Sequence, residues 1–228
     1  MSQLWLVIIF LSALVLMSFL ASRDKKKKII FFGDSITQQG TASNGYITLL
    51  NKMLYQQNIQ QFQLISAGIG GNKVNDLLQR MDDDVLRKFP YMVVIFIGVN
   101  DVWHKQTKGM GTSIGKFKEA YNIIVSKMIQ NGTKVILCTP AVIGEKYDGT
   151  NDLDEELNSY CNVIRDIAFN LRLPLVDLRK AFIDYEIKNN KTNLYNGILT
   201  TDGVHLNDKG NKLVAEVIWN VIKDTKQL

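Results

Sequence analysis

A three-layer α/β/α sandwich on an open, five-stranded parallel sheet of the flavodoxin-like kind is the architecture this 228-residue sequence predicts. Three observations carry that prediction. Short runs rich in Ile, Val and Phe recur along the chain with longer amphipathic stretches between them, the pattern of strands buried on both faces by helices. Hydrophobic residues make up 46% and charged residues 21%, enough apolar mass for one full core and too little charge for a disordered chain. Conspicuous polar residues stand just past the strand ends, where open α/β sheets hold their ligands.

Taken in order, Ile29–Phe32 forms a first strand that runs into a Gly-Asp-Ser turn. Tyr46–Gln57 forms a helix with Ile47, Leu49, Leu50 and Leu54 to one side. Phe62–Ile65 is the second strand and opens into the glycine-rich Gly68–Gly71. Val74–Leu86 is helical, and Met92–Ile97 is a wholly apolar strand ending at Gly98, followed by a loop that carries Asn100 and leads past Trp103 and His104. A helix over Ile114–Gln130 stops at Asn131-Gly132. Lys134–Cys138 is the fourth strand, Asp154–Leu171 a helix, and Leu173–Val176 a short fifth strand. Leu178–Lys188 and Asp208–Lys223 close the chain as helices. The irregular stretches Ala141–Asp152 and Asn190–Thr201 are expected to be mobile flaps.

The first 24 residues stand apart from this domain, which spans residues 25–228. Leu4–Ala21 is uncharged and apolar apart from Ser12 and Ser18. As a helix it would be about 27 Å long, near the hydrocarbon thickness of a bilayer. A signal segment or a membrane anchor both fit, and membrane association through residues 4–21 is the expectation. Arg23 and Lys25–Lys28 follow the segment, which by the positive-inside tendency favours an inward-facing domain.

Net charge is +5, partly from Lys25–Lys28. Basic and aromatic residues do not interleave in a nucleic-acid-binding pattern, so no nucleic-acid partner is expected. The two cysteines, Cys138 and Cys161, read as buried free thiols, with a disulfide between them as the alternative if the domain is exported. No Cys/His spacing suggests a metal.

The segment Gly33-Asp34-Ser35-Ile36-Thr37 directly follows a hydrophobic strand, so a sharp turn there projects the Ser35 hydroxyl and its N–H into one space. Serine needs a base to become a nucleophile. The chain has two histidines, His104 and His205, and His205 lies three residues after Asp202, close enough for the carboxylate to hold the imidazole. Gly71 offers a backbone N–H, and Asn100 a side-chain amide. With the Ser35 N–H these would make a three-donor site for an oxyanion. The constellation calls for no cofactor.

The blocks Gly33–Thr37, Gly68–Asn72, Gly98–Asp101 and Asp202–His205 resemble, in order and spacing, the four blocks of the SGNH hydrolase superfamily, the GDSL-like lipases and acylhydrolases. The resemblance covers nearly everything from Lys28 to Lys223. It implies Ser35 as nucleophile, Gly71 and Asn100 as oxyanion donors, and Asp202 and His205 as the remainder of a triad. Leu206 departs from the family, which commonly has proline there. Asp34 and Asp101 read as structural. Trp103, His104 and Tyr46 are candidate substrate contacts; Trp103 and Tyr46 read equally well as core, and His104 as a surface histidine.

The resemblance also implies an exported or membrane-attached domain that acts as a serine esterase. Its substrate would be a small ester, with O-acetyl groups on carbohydrate favoured and a lysophospholipid or thioester as alternative. A flavodoxin-like binding module using Gly68–Gly71 for phosphate, or a glycan binder without catalysis, leaves the Ser35, Asp202 and His205 set without a purpose.

Overall fold

The computed structural model describes residues 26–224, with residues 8 and 10–12 of the N-terminal segment. The rest of the apolar run over residues 4–21 lies outside the described residues. Among those described, no helix is long and apolar enough to cross a membrane.

Five parallel strands form the sheet: β1 (Lys27–Gly33), β2 (Phe62–Gly68), β3 (Met92–Phe96), β4 (Lys134–Cys138) and β5 (Leu175–Val176). Their spatial order is β2-β1-β3-β4-β5. Eight helices complete residues 26–224: α1 (Ser35–Gln39), α2 (Tyr46–Gln56), α3 (Val74–Asp84), α4 (Val99–Lys108), α5 (Ile114–Gln130), α6 (Asp154–Leu171), α7 (Leu178–Asn189) and α8 (Asp208–Asp224). A 3-10 turn over Leu86–Lys88 precedes β3.

Central strands β1 and β3 read as unbroken apolar runs because both faces are covered. Ile29–Phe32 and Met92–Phe96 are all buried. Helix α2 packs with α8, and α3, α5 and α6 pack in succession. Right-handed crossovers place these two groups on opposite faces. The strand order reverses between β1 and β3, which opens the crevice at their carboxyl ends.

Two stretches assigned as loops are helices. The residues from Ser35 form α1, whose first turn is capped by Asp34: its carboxylate accepts from the Ile36 N–H at 3.0 Å. The Asn100 loop is the start of α4. Gly98, at φ 128°, turns the chain from β3 directly into that helix, in a conformation side-chain-bearing residues rarely adopt.

Of the two expected flaps, residues 147–150 and 194–197 are exposed, but their inner ends are built into the domain. Ala141–Glu145 is buried, and the Glu145 carboxylate accepts from the N–H groups of Ile198, Leu199 and Thr200 at 2.7, 2.6 and 2.5 Å. Three charge-assisted bonds to one buried carboxylate pin the second stretch onto the first. Polarity in sequence had suggested solvent; here it satisfies backbone groups.

Cys138 and Cys161 are buried and unbonded to each other. Burial raises both thiols, Cys161 to about 12.

Behind Glu145 lies Glu186, 1% exposed, whose Oε1 is buried without a hydrogen-bond partner among the described residues. Burial, then the neighbouring Glu145 charge, push its carboxyl from 4.5 to about 8. The folded chain thus holds this proton more tightly than the unfolded chain does. Stability falls as pH rises between 4.5 and about 8, by at most about 1.4 kcal/mol per pH unit. Glu186→Gln is expected to melt with the parent at pH 4.5 and several degrees above it at pH 8. Parallel melting curves across that range would assign the pH dependence to other groups.

Candidate active site

Strand order explains the site. Strand β1 lies between β2 and β3, so Ser35 after β1 is flanked by Gly71 after β2 and Asn100 after β3. Ser35 opens α1, so its backbone N–H is among those a helix leaves unpaired at its N-terminus.

Ser35 Oγ lies 3.0 Å from His205 Nε2. His205 Nδ1 lies 2.7 Å from Asp202 Oδ2, while Asp202 Oδ1 accepts from the N–H groups of His205 and Val204 at 2.7 and 3.0 Å. The carboxylate thus fixes the ring and its own turn at once. Burial pushes the Asp202 carboxyl up, but the bonds from His205 and from the two backbone N–H groups outweigh it and hold it below its ordinary value. An ionised Asp202 accepting from Nδ1–H leaves Nε2 as the acceptor facing the serine.

The histidine turn is braced from several sides. An antiparallel bridge joins Thr200 and Leu206, and Thr201 N–H donates to His205 O at 2.8 Å. The Glu145 anchor holds Ile198, Leu199 and Thr200, the segment leading into it. On the other side, Tyr46 N–H donates to Asn211 Oδ1 at 2.9 Å, tying the start of α2 to α8. Leu206, where the family commonly has proline, is buried and leaves this turn intact.

Gly71 has φ 77°, a left-handed conformation suited to glycine, and among the described residues its N–H has no hydrogen-bond partner. The Asn100 side chain is 2% exposed, and its Nδ2 donates to the Asn72 carbonyl at 3.1 Å, leaving the second amide hydrogen available.

The three candidate contacts separate. Trp103, half-buried, sets its ring edge-on to His205 at 6.0 Å between centroids, so it borders the site. His104 is buried, not on the surface; a Cβ at Gly71 would sit 3.7 Å from its Cε1. Burial, then Lys108 and Lys73, lower its pKa and favour the neutral ring. Tyr46 is core: fully buried, edge-on to Phe31 and Phe96, with its hydroxyl donating to Thr37 Oγ1 at 3.1 Å. At the start of its helix the Gly40 carbonyl accepts from the Ile47 and Thr48 N–H groups at 2.9 and 3.2 Å, and this turns the ring in against the sheet.

Asp34 and Asp101 have structural roles. Asp101 accepts from the Val74 N–H with both oxygens at 3.2 Å, capping α3 from α4. Burial raises Asp34 to about 7 and Asp101 to about 6.

Arg80 was not among the candidates, yet it organises the oxyanion side. From α3 its Nη2 donates to the carbonyls of Gly33 and Ala67 at 2.8 and 2.9 Å, joining the ends of β1 and β2. Its Nε donates to Asn72 Oδ1 at 2.7 Å, and Asn72 O in turn receives Asn100. Its guanidinium covers the Phe32 ring at 4.6 Å. Arg80→Met keeps the bulk and loses the fork. It is expected to lower kcat about tenfold with little change in KM, with Arg80→Lys intermediate. Unchanged kcat in Arg80→Met would show that the loop holds its shape unaided. Only a lone arginine inside an amphipathic helix signalled this residue in sequence.

Comparison with known proteins agrees with this arrangement. Residues 31–213 match the GDSL-like Lipase/Acylhydrolase family. A crystal structure of an acetyl xylan esterase, AlAXEase, superposes with a TM-score of 0.84 at 52% identity, covering 86% of this chain and 99% of that one. Acetylxylan esterase from Geobacillus stearothermophilus is 28% identical over 215 residues, 86% of this chain and 94% of its own length. An uncharacterised lipoprotein of Bacillus subtilis, YqeF, is 27% identical over 173 residues, 68% of this chain and 71% of its own. With its four blocks gathered at the carboxyl ends of β1, β2 and β3 and before α8, the chain belongs to the GDSL-like Lipase/Acylhydrolase family and is a carboxylic ester hydrolase.

Proposed function

We propose that this chain removes O-acetyl groups from carbohydrate through an acyl-enzyme on Ser35. The observation that carries the mechanism is the unbroken line from Ser35 Oγ to His205 Nε2 and from His205 Nδ1 to Asp202, at 3.0 and 2.7 Å. As Ser35 Oγ attacks the ester carbonyl, its proton passes to His205 Nε2 and Asp202 stabilises the imidazolium. Negative charge moves onto the carbonyl oxygen, where the Ser35 and Gly71 N–H groups and Asn100 Nδ2 donate. Collapse breaks the C–O bond to the sugar, and the departing alkoxide takes the proton back from His205. Water, deprotonated by the same histidine, then attacks the acyl-enzyme and releases acetate and free Ser35.

The carbohydrate preference rests on relatives described as acetylxylan esterases at 52% and 28% identity. The part-exposed Ser35 and His205 suit an ester borne on a bulky polymer. Trp103 beside His205 supplies an apolar edge for a sugar ring.

Residues 1–24 act as an export or membrane-attachment segment; the apolar run supports this, as does a relative described as a lipoprotein.

The deciding measurement is acetate release from acetylated xylo-oligosaccharide, beside hydrolysis of p-nitrophenyl acetate, butyrate and octanoate. Preference for acetyl and for the oligosaccharide is expected. Fastest turnover on octanoate, with no acetate released from the oligosaccharide, would replace this reading with a lipid acylhydrolase.

A further inference from the structure

Because all strands run the same way, the sheet has two unlike ends. Strand β1 rises from Lys27 to Gly33, which places Ser35 about 20 Å from the opposite edge. At that opposite edge Lys26, Lys27 and Lys28 meet Lys88, from the turn before β3, and Lys134, which begins β4. A groove of about 740 Å³ opens between Lys26, Lys27, Lys28 and Lys88, with Gln63, Phe89, Pro90 and Tyr91 in its lining.

None of these five lysines pairs with a carboxylate among the described residues. Lys27 and Lys134 instead each hold their ammonium 4.6 Å from the Tyr91 ring centroid, and Lys28 donates to Lys88 O at 3.0 Å. Among the described residues the edge therefore carries positive charge with no carboxylate paired to it. In its midst Phe89 adopts φ 49°, and the residue is 84% exposed. A bulky residue held in the left-handed region with its apolar surface in water is costly on both counts.

The chain leaving this edge is short. Only Ser22–Lys25 separate Lys26 from the uncharged apolar run at residues 4–21, a reach of about 14 Å at full extension.

We infer that the N-terminal edge of the sheet is a docking face for an anionic lipid bilayer. The Phe89 ring enters at headgroup level, and Lys26, Lys27, Lys28, Lys88 and Lys134 lie over lipid phosphates. This rests on residues 1–24 directing the chain to a membrane. It goes further in fixing the domain's orientation: the edge bearing Ser35 faces away from the bilayer. An ester on a polymer in the aqueous phase is then within reach, and an ester in the same bilayer is not.

The test uses the domain and the full chain. Residues 25–228 are expected to fold by themselves, since the described core draws only on residues 29–222, the family match spans residues 31–213, and 86% of this chain suffices to cover 99% of the crystallised acetyl xylan esterase. This fragment should sediment with vesicles of phosphatidylcholine and phosphatidylglycerol, fail to sediment with phosphatidylcholine alone, and come off at high salt. Lys26→Gln and Lys88→Gln should each weaken binding about fivefold. Phe89→Ser should weaken it as well. Binding indifferent to lipid charge, no binding, or equal affinity for soluble polyphosphate with no effect of Phe89→Ser would each overturn the assignment.

In the full chain on the same vesicles, a fluorophore on Phe89→Cys should be quenched by brominated lipid. One on Thr150→Cys, beyond β4 on the site side, should not. Equal quenching at both positions would overturn the orientation. p-Nitrophenyl acetate hydrolysis, measured in every lysine variant, should be unchanged, so loss of docking and loss of the esterase reading are distinguishable. A full chain that stays in solution would end the attachment reading and leave the fragment's result to decide the face.

Discussion

Ser35→Ala and His205→Ala are each expected to lower kcat for p-nitrophenyl acetate by about ten-thousand-fold or more, and the double variant no further. The reason is geometric. Ser35 Oγ has one acceptor poised for its proton, His205 Nε2 at 3.0 Å, and removal of either partner leaves the other without a task. An unassisted serine hydroxyl is a poor nucleophile, and an imidazole without the serine attacks nothing in this geometry. The residual rate belongs to the oxyanion donors, which remain in place. Both variants should fold, since Ser35 and His205 are only half-buried and the helix start at Ser35 is capped by Asp34. Stopped-flow and steady-state assays on the two single variants and the pair check this. Additive losses would mean that the two residues act in separate steps. Near-parental turnover in Ser35→Ala would remove the covalent mechanism altogether. Asp202→Asn should fall between, because its backbone bonds can survive while the tautomer of His205 is no longer enforced.

How much of this was legible in sequence depended on how local each signal is. The strands were legible because burial on both faces writes them as continuous apolar runs, as in Met92–Phe96. Ser35, Gly71 and Asn100 could be found because each follows a strand end in a recognisable block, and Asp202 and His205 because they are three residues apart. Helices α1 and α4 were missed for a shared reason: each begins within three residues of a strand, behind a glycine that reads as a loop. Tyr46 read equally as a substrate contact or as core because aromatic side chains serve both; only the docking of its ring against Phe31 and Phe96 decides which. Residues acting at a distance were not legible. Arg80 reaches Gly33 across 47 positions, and Glu145 reaches Leu199 across 54. Their sequence neighbourhoods are those of an ordinary helix and an ordinary loop. A buried polar residue is recognised by the backbone groups it satisfies, and these belong to other segments.

Asn100→Ala is expected to lower kcat a hundredfold to a thousandfold while leaving KM within about threefold of the parent. The side chain is buried at the start of α4, fixed by its bond to Asn72 O, so one amide hydrogen is already aimed before substrate arrives. A donor held in that way costs no reorganisation when charge develops on the carbonyl oxygen. Its bond strengthens from the neutral carbonyl to the oxyanion, which is why the loss falls on the transition state and spares substrate binding. Asn100→Ala also frees the Asn72 carbonyl, but Arg80 still holds the Asn72 side chain, so the loop that carries Gly71 should keep its course. Asn100→Asp separates the two contributions of the residue. It retains the size and places an acceptor where the oxyanion forms, so kcat should fall below that of the alanine variant. If the aspartate variant instead equals or exceeds alanine, the Asn100 side chain does not face the developing charge, and the donors must be sought among the backbone N–H groups of Ser35 and Gly71 alone.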